Sequence, residues 1–284
     1  MPRRFSQIDV FTRIAYRGNP VAVVHDADDL DEATMRGFAH WTNLSETTFL
    51  LAPTDPAADY RVRIFTPAGE LPFAGHPTLG TCHAWLEAGG APAHDGVVVQ
   101  QCEAGLVTVR RGDDGLAFAA PPLVRSGPVD GELRGEIADV LGIGVDELVD
   151  AAWADNGPGW IAVLLRDADA VLAVSVGSTE RKIGVVGPYP PGHEAQFEVR
   201  AFFPTNGVVL EDPVTGSLNA SIAMWLLGTG RASAPYVASQ GAAVGRAGRV
   251  RVERDPDGTI WVGGGTVTCV SGTVDLSSGL SIGG

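Results

Sequence analysis

The residues best suited to chemistry lie in two short stretches. In Glu211-Asp212-Pro213-Val214-Thr215-Gly216-Ser217, two carboxylates and two hydroxyls run into an apolar segment, Leu218 to Leu227, closed by Gly228. In Gly75-His76-Pro77-Thr78, an imidazole heads a second apolar run that passes Trp85 and Leu86 and stops at Gly89-Gly90. Both runs are predicted as helices without a polar face, which makes them buried helices. Ser217 is predicted as the N-cap of one, and Pro77 as the first helical residue of the other. A buried helix with a polar first turn presents free N–H groups and the positive end of its dipole. That is a preformed site for an anion.

These residue types admit several readings. His76 suits acid–base work, or a structural hydrogen bond at a helix start. Asp212 suits substrate binding, or a favourable place beside the helix dipole. The pair Glu211-Asp212 so close to a buried helix favours function. Ser217, His76 and Asp212 have the makings of a hydrolase triad, but the Gly-x-Ser-x-Gly elbow is missing from Thr215-Gly216-Ser217-Leu218-Asn219. His76 and His83 lack a third ligand, so no metal site is expected. Gly263-Gly264-Gly265 opens no helix, so no dinucleotide loop is expected either. Glu46, in Leu44-Ser45-Glu46-Thr47-Thr48-Phe49, reads as an ordinary carboxylate at the start of a strand.

The elements that must position these residues repeat. Arg63-Ile64-Phe65-Thr66-Pro67 precedes the first helix, and Arg200-Ala201-Phe202-Phe203-Pro204 precedes the second. Gly105-Leu106-Val107-Thr108-Val109 follows the first, and Gly248-Arg249-Val250-Arg251-Val252 follows the second. Three matches in one order point to an internal duplication. Strands are predicted at Phe5–Phe11, Pro20–Val24, Glu46–Ala52 and Tyr60–Phe65 before the first helix, and at Gly96–Glu103, Leu106–Arg111 and Leu116–Ala119 after it. The second half repeats that pattern, with strands at 151–154, 160–165, 197–203, 250–254, 259–262 and 266–274. Surface helices are predicted at Asp31–Asn43 and Glu132–Leu141. The Pro- and Gly-rich segment 121–130 reads as a linker between an N-terminal lobe, 1–120, and a C-terminal lobe, 131–274. Wrapping a sheet round each apolar helix would bury it. Two such lobes would bring His76 and Ser217 to facing helix starts across a cleft.

Bulk composition narrows the function classes. Of 284 residues, 45% are hydrophobic and 19% charged, enough apolar mass for well-formed cores. The formal net charge of −14 argues against nucleic acid as a partner. It also means that an anionic substrate must be held by local donors. Three cysteines form no disulfide framework. No apolar run is long enough for a bilayer, and no secretory leader is read at the start. A cytoplasmic protein without membrane association is expected.

The motifs resemble one family, the PhzF-type phenazine-biosynthesis isomerases of the diaminopimelate-epimerase-like fold. The resemblance rests on Asp9-Val10-Phe11-Thr12, Gly18-Asn19-Pro20, Ser45-Glu46-Thr47, Arg63-Ile64-Phe65-Thr66-Pro67, Phe73-Ala74-Gly75-His76-Pro77-Thr78 and Glu211-Asp212-Pro213-Val214-Thr215-Gly216-Ser217. It implies an α+β fold of two pseudo-symmetric lobes, each a β-barrel-like sheet around a central helix. It implies that Glu46 is the general acid/base and that His76, Asp212 and Ser217 line the substrate site. Backbone N–H groups near Gly75 and Gly216 would hold a carboxylate. The implied activity is cofactor-independent proton transfer on a small carboxylic acid, in the style of dihydro-hydroxyanthranilate isomerisation, by a protein that commonly forms homodimers. Related racemases use two cysteines at the central helix starts, and neither start carries one here. A one-carboxylate racemase or epimerase, and a binding protein without turnover, are the alternative readings.

Overall fold

The structure, a computed structural model, describes residues 2–205 and 207–277. The chain forms two compact units. One holds the residues up to Ala119 together with those from Gly263 on, and the other holds Ala120–Val262.

The first unit runs β1 (Pro2–Val10), β2 (Asn19–Val24), α1 (Glu32–Thr42), β3 (Glu46–Leu51), β4 (Tyr60–Phe65), β5 (Glu70–Leu71), α2 (Gly75–Glu87), β6 (Val97–Cys102), β7 (Gly105–Gly112) and β8 (Gly115–Ala119). β1 pairs antiparallel with β2, β2 parallel with β3, and β3 antiparallel with β4. β4 pairs parallel with β6, from which β7 and β8 continue as a meander. α2 lies against β1, β2, β3, β6 and β8, so the sheet curls round it. Its closest approach is at Gly80, where a Cβ would stand 2.2 Å from Val21 Cγ1. α1 covers the opposite face through Met35, Phe38 and Ala39, which join Phe49 and Phe65 in one apolar cluster.

The second unit runs β9 (Arg125–Pro128), α3 (Gly131–Leu141), β10 (Asp150–Asp155), β11 (Trp160–Leu164), α4 (Ala168–Ala173), β12 (Lys182–Pro188), β13 (Phe197–Thr205), β14 (Val208–Asp212), α5 (Gly216–Gly228), β15 (Tyr236–Gln240) and β16 (Gly248–Arg254), then the start of β17 (Ile260–Gly264), whose last two residues belong to the first unit. The pairings repeat those of the first unit. β10–β11 is antiparallel, β11–β12 parallel, β12–β13 antiparallel, β13–β15 parallel and β15–β16 antiparallel. α5 lies against β10, β11 and β16 and is buried along nearly its whole length.

Four expectations change. The final strand, β18 (Thr266–Asp275), pairs along β1 and joins the first unit, because β1 has an open edge beside β2 that this strand fills. Residues 125–128, read as linker, form β9 on the edge of β10. Ser217 is not the N-cap of α5. That position is Thr215, and Ser217 sits inside the first turn. Pro77 is likewise the third residue of α2, whose N-cap is Ala74.

Candidate active site

In the first unit, strand alternation aims the candidate carboxylate. Glu46 and Thr48 share one face of β3, and Thr48 Oγ1 accepts a 2.8 Å hydrogen bond from Thr81 Oγ1 of α2. Glu46 therefore points to the α2 side. Its Oε2 lies 3.3 Å from Nε2 of His76, the second residue of α2. Both atoms are buried and their approach is off-line, a contact and not an aligned hydrogen bond. Burial pulls the His76 pKa down to about 3, only partly opposed by the Pro20 carbonyl. The imidazole is therefore neutral near pH 7, and the contact is not an ion pair. A neutral ring can donate to the Glu46 carboxylate or accept from its protonated form. Asn19, the first residue of β2, sets its Nδ2 3.5 Å from His76 Nδ1. Asp9 braces the turn before it by accepting from the Gly18 N–H at 3.2 Å.

In the second unit, Asp212 ends β14, and its Oδ2 accepts a 2.6 Å hydrogen bond from Thr215 Oγ1. Gln240, fully buried on β15, ties this turn to the helix. Its amide N–H groups donate to the Asp212 carbonyl and to Thr215 Oγ1, and its Oε1 accepts from the Thr215 N–H and from Asn219 Nδ2. Ser217 is held separately, its Oγ accepting from Trp160 Nε1 at 3.1 Å and its carbonyl from Asn156 Nδ2 at 3.0 Å. Glu211, paired with Asp212 in the sequence reading, has a different occupation. It makes a bidentate pair with Arg200, which also donates to the Val171 and Val174 carbonyls at the end of α4. Glu211 is thus a structural residue, as is Glu70 in its pair with Arg63 in the first unit.

The helix starts share a further property. The outer helices α1, α3 and α4 are each capped by an aspartate, Asp31, Asp130 and Asp167, which accepts a backbone N–H of its first turn. The two central helices carry no side-chain cap. Ala74 has no oxygen to offer, and the Thr215 hydroxyl is committed to Asp212 and Gln240. Gly75 and Gly216 are the first residues of α2 and α5, so their N–H groups lie outside the helical ladder. Each unit thus gathers part of the expected set: Glu46, His76 and Gly75 in one, Asp212, Ser217 and Gly216 in the other. Asn19, Asn156, Trp160 and Gln240 were not singled out from sequence. The only signal for Asn19 was its place in the Gly18-Asn19-Pro20 turn.

A thiol base does not suit this framework. Cys82 lies inside α2, and burial pushes its pKa up to about 12. Among the described residues, no group of three or more His, Cys, Asp or Glu side chains is arranged to hold a metal ion. No helix there is long and apolar enough to cross a membrane.

Comparison with known proteins supplies the family. The profile of the phenazine biosynthesis-like protein family, PhzC-PhzF, matches residues 8–272. A protein of Schizosaccharomyces pombe named antisense-enhancing sequence 1 is 35% identical, covering 94% of this chain and 97% of its own. The trans-2,3-dihydro-3-hydroxyanthranilate isomerase of Pseudomonas fluorescens is 34% identical over 84% of this chain and 86% of its own. In fold, the crystal structure of a PhzF-family phenazine biosynthesis protein from Bacillus anthracis aligns with a TM-score of 0.81 at 22% identity, covering 96% of this chain and 99% of that one. The fold is α+β and diaminopimelate-epimerase-like, and the chain belongs to the phenazine biosynthesis-like family as one of its isomerases.

Proposed function

We propose that this isomerase works without a cofactor and moves a proton between carbons of a small unsaturated carboxylic acid. Glu46 takes the proton from one carbon and returns it to another. Neutral His76 holds the carboxyl in place and exchanges a hydrogen bond with it as its charge changes. Asp212 and Ser217 orient the substrate, and the N–H groups at Gly75 and Gly216 receive its carboxylate. An internal duplication accounts for the repeated strand pairings, and a cytosolic homodimer accords with the family likeness.

The observation that carries the reading is the pair of uncapped central helices beside capped outer ones. Leaving a helix N-terminus without a side-chain acceptor forgoes about 1 kcal/mol of stability. It keeps N–H donors and dipole for an anion and for negative charge that develops during reaction. In a chain of net charge −14, such local donors are what an acid substrate needs. The test is turnover of trans-2,3-dihydro-3-hydroxyanthranilate, the substrate in the relative's name, and of related unsaturated amino and hydroxy acids, in heavy water. Conversion with solvent deuterium at the newly protonated carbon is expected. Conversion undiminished in Glu46→Gln would overturn the assignment of the proton carrier.

A further inference from the structure

Trp160 is the first residue of β11, 3% exposed, and its indole N–H donates to Ser217 Oγ at 3.1 Å. An indole N–H is a donor only, and a serine hydroxyl has one proton and two acceptor positions. The contact therefore fills an acceptor position of Oγ and leaves its proton to be given elsewhere. Asn156 fixes the other end of the residue. Its Nδ2 donates to the Ser217 carbonyl at 3.0 Å, and since a carbonyl can only accept, the amide orientation is settled. That orientation leaves Asn156 Oδ1 buried and without a hydrogen-bond partner, which is unfavourable unless something else gains. The turn that carries both residues is itself braced, with Asp155 Oδ1 accepting from the N–H groups of Gly157 and Gly159 at 2.7 and 2.6 Å. Gly157 and Gly159 have φ of 131° and 92°, which favours glycine at both positions.

We infer that Trp160 is a positioning residue for substrate binding: by filling one of the two acceptor positions of Ser217 Oγ it biases the hydroxyl toward donating, so that the group favoured there is an acceptor oxygen of the substrate. The inference rests on the function proposed above. It deepens that reading by assigning the direction of one hydrogen bond. A ligand bearing a carboxylate oxygen at this point is favoured, and one presenting only N–H donors is not.

The test is a binding cycle read by calorimetry. The probe is 3-hydroxyanthranilate, with 2-aminophenol, which lacks its carboxylate, as the control. Trp160→Phe keeps most of the ring and removes the N–H. It should weaken 3-hydroxyanthranilate roughly three- to tenfold, the effect of one lost hydrogen bond. The same substitution in a Ser217→Ala background should add nothing, and 2-aminophenol should respond to neither change. A purely structural role for Trp160 would weaken both ligands alike and add to Ser217→Ala; that result, or unchanged binding, overturns the inference and leaves the proposed function standing. If the wild-type chain binds no 3-hydroxyanthranilate at millimolar concentration, the proposed carboxylate site and the inference fall together. Should Trp160→Phe not fold, ¹⁵N-tryptophan spectra of the wild type provide a second measurement. The Trp160 indole signal should shift on adding 3-hydroxyanthranilate and exchange faster in Ser217→Ala, and a signal indifferent to both counts against the inference.

Discussion

α2 and α5 begin alike and differ in what surrounds them. The same sequence interval separates Gly75 from Gly216, His76 from Ser217, and Asn19 from Trp160. In both units, a side-chain nitrogen from the first residue of a strand, β2 or β11, meets the side chain of the second residue of the central helix. Glu46 has no such counterpart. It stands opposite Val21 across the parallel β2–β3 pair, and the matching place opposite Ala162 in β11–β12 is Gly184. A Cβ there would lie 2.2 Å from Leu218 Cδ1, so Leu218 occupies the room a carboxylate would need. One framework thus carries a carboxylate beside an imidazole at one helix start and a fixed hydroxyl at the other. The asymmetry suits a single-base proton transfer better than a two-base racemisation.

The strongest challenge to this contrast is Glu46→Gln. It preserves shape and removes the proposed base, so turnover of trans-2,3-dihydro-3-hydroxyanthranilate should fall roughly 10²–10⁴-fold with the folded state intact. Near wild-type turnover would leave Asp212 as the carboxylate to test.

Next in size is the paired arginine of each unit. Arg200 and Glu211 have side chains only 9% and 11% exposed, and Arg63 and Glu70 28% and 21%. Arg200→Met strands a nearly buried carboxylate and two helix-end carbonyls, so it should destabilise by about 3–5 kcal/mol in chemical denaturation. Arg63→Met leaves a wetter Glu70 and should lower stability by about 1–2 kcal/mol. Equal losses would remove this distinction between the units.

The third contrast is pH. The His76 pKa is about 3 when folded against an ordinary 6.5, so below 6.5 the unfolded chain binds a proton that the folded chain refuses. Stability from this group is complete above pH 6.5 and declines as the pH falls toward 3. Between pH 7 and 4.5 the wild type should lose about 2–3 kcal/mol more than His76→Gln. His25 and His83 are shifted in the same direction by burial and remain in both proteins, so they cancel in the difference. Parallel declines would mean that His76 is not held neutral. Ser217, at the matching place, contributes no titration here.

Much of this architecture was legible in the residues, and the gaps have physical causes. The central helices stood out because an apolar run bounded by glycines has few other interpretations. β12 was missed because Gly184 and Gly187 interrupt the apolar pattern of its strand. Those glycines are there because Leu218 and the Asp167 carbonyl lie against the strand. β14 was missed because Glu211-Asp212 read as the approach to a helix, when Glu211 answers to Arg200 across a hairpin. Trp160 looked like any apolar strand residue, since nothing in its neighbourhood announces a hydrogen bond to Ser217. Glu46 emerged only through the family resemblance. A carboxylate at a strand start is common, and what makes this one unusual is a histidine thirty residues later.

The smallest predicted effect tests why the helix starts are bare. Ala74 has the extended backbone of an N-cap, φ −150° and ψ 138°, so Ala74→Ser requires no rearrangement of the chain. A serine there normally caps by accepting from the N–H of the second or third helical residue. The third residue of α2 is Pro77, which has no N–H, so His76 must supply it. Ala74→Ser should therefore raise stability by about 0.5–1 kcal/mol. It should also weaken 3-hydroxyanthranilate several-fold, because the new hydroxyl takes up the His76 N–H and stands beside the Gly75 N–H proposed for its carboxylate. The matching change at the other helix, Thr215→Ser, keeps the hydroxyl already committed to Asp212 and Gln240 and should do neither. If Ala74→Ser stabilises the protein without touching affinity, the N–H groups of α2 are free for some reason other than the substrate. The anion would then belong to α5 alone.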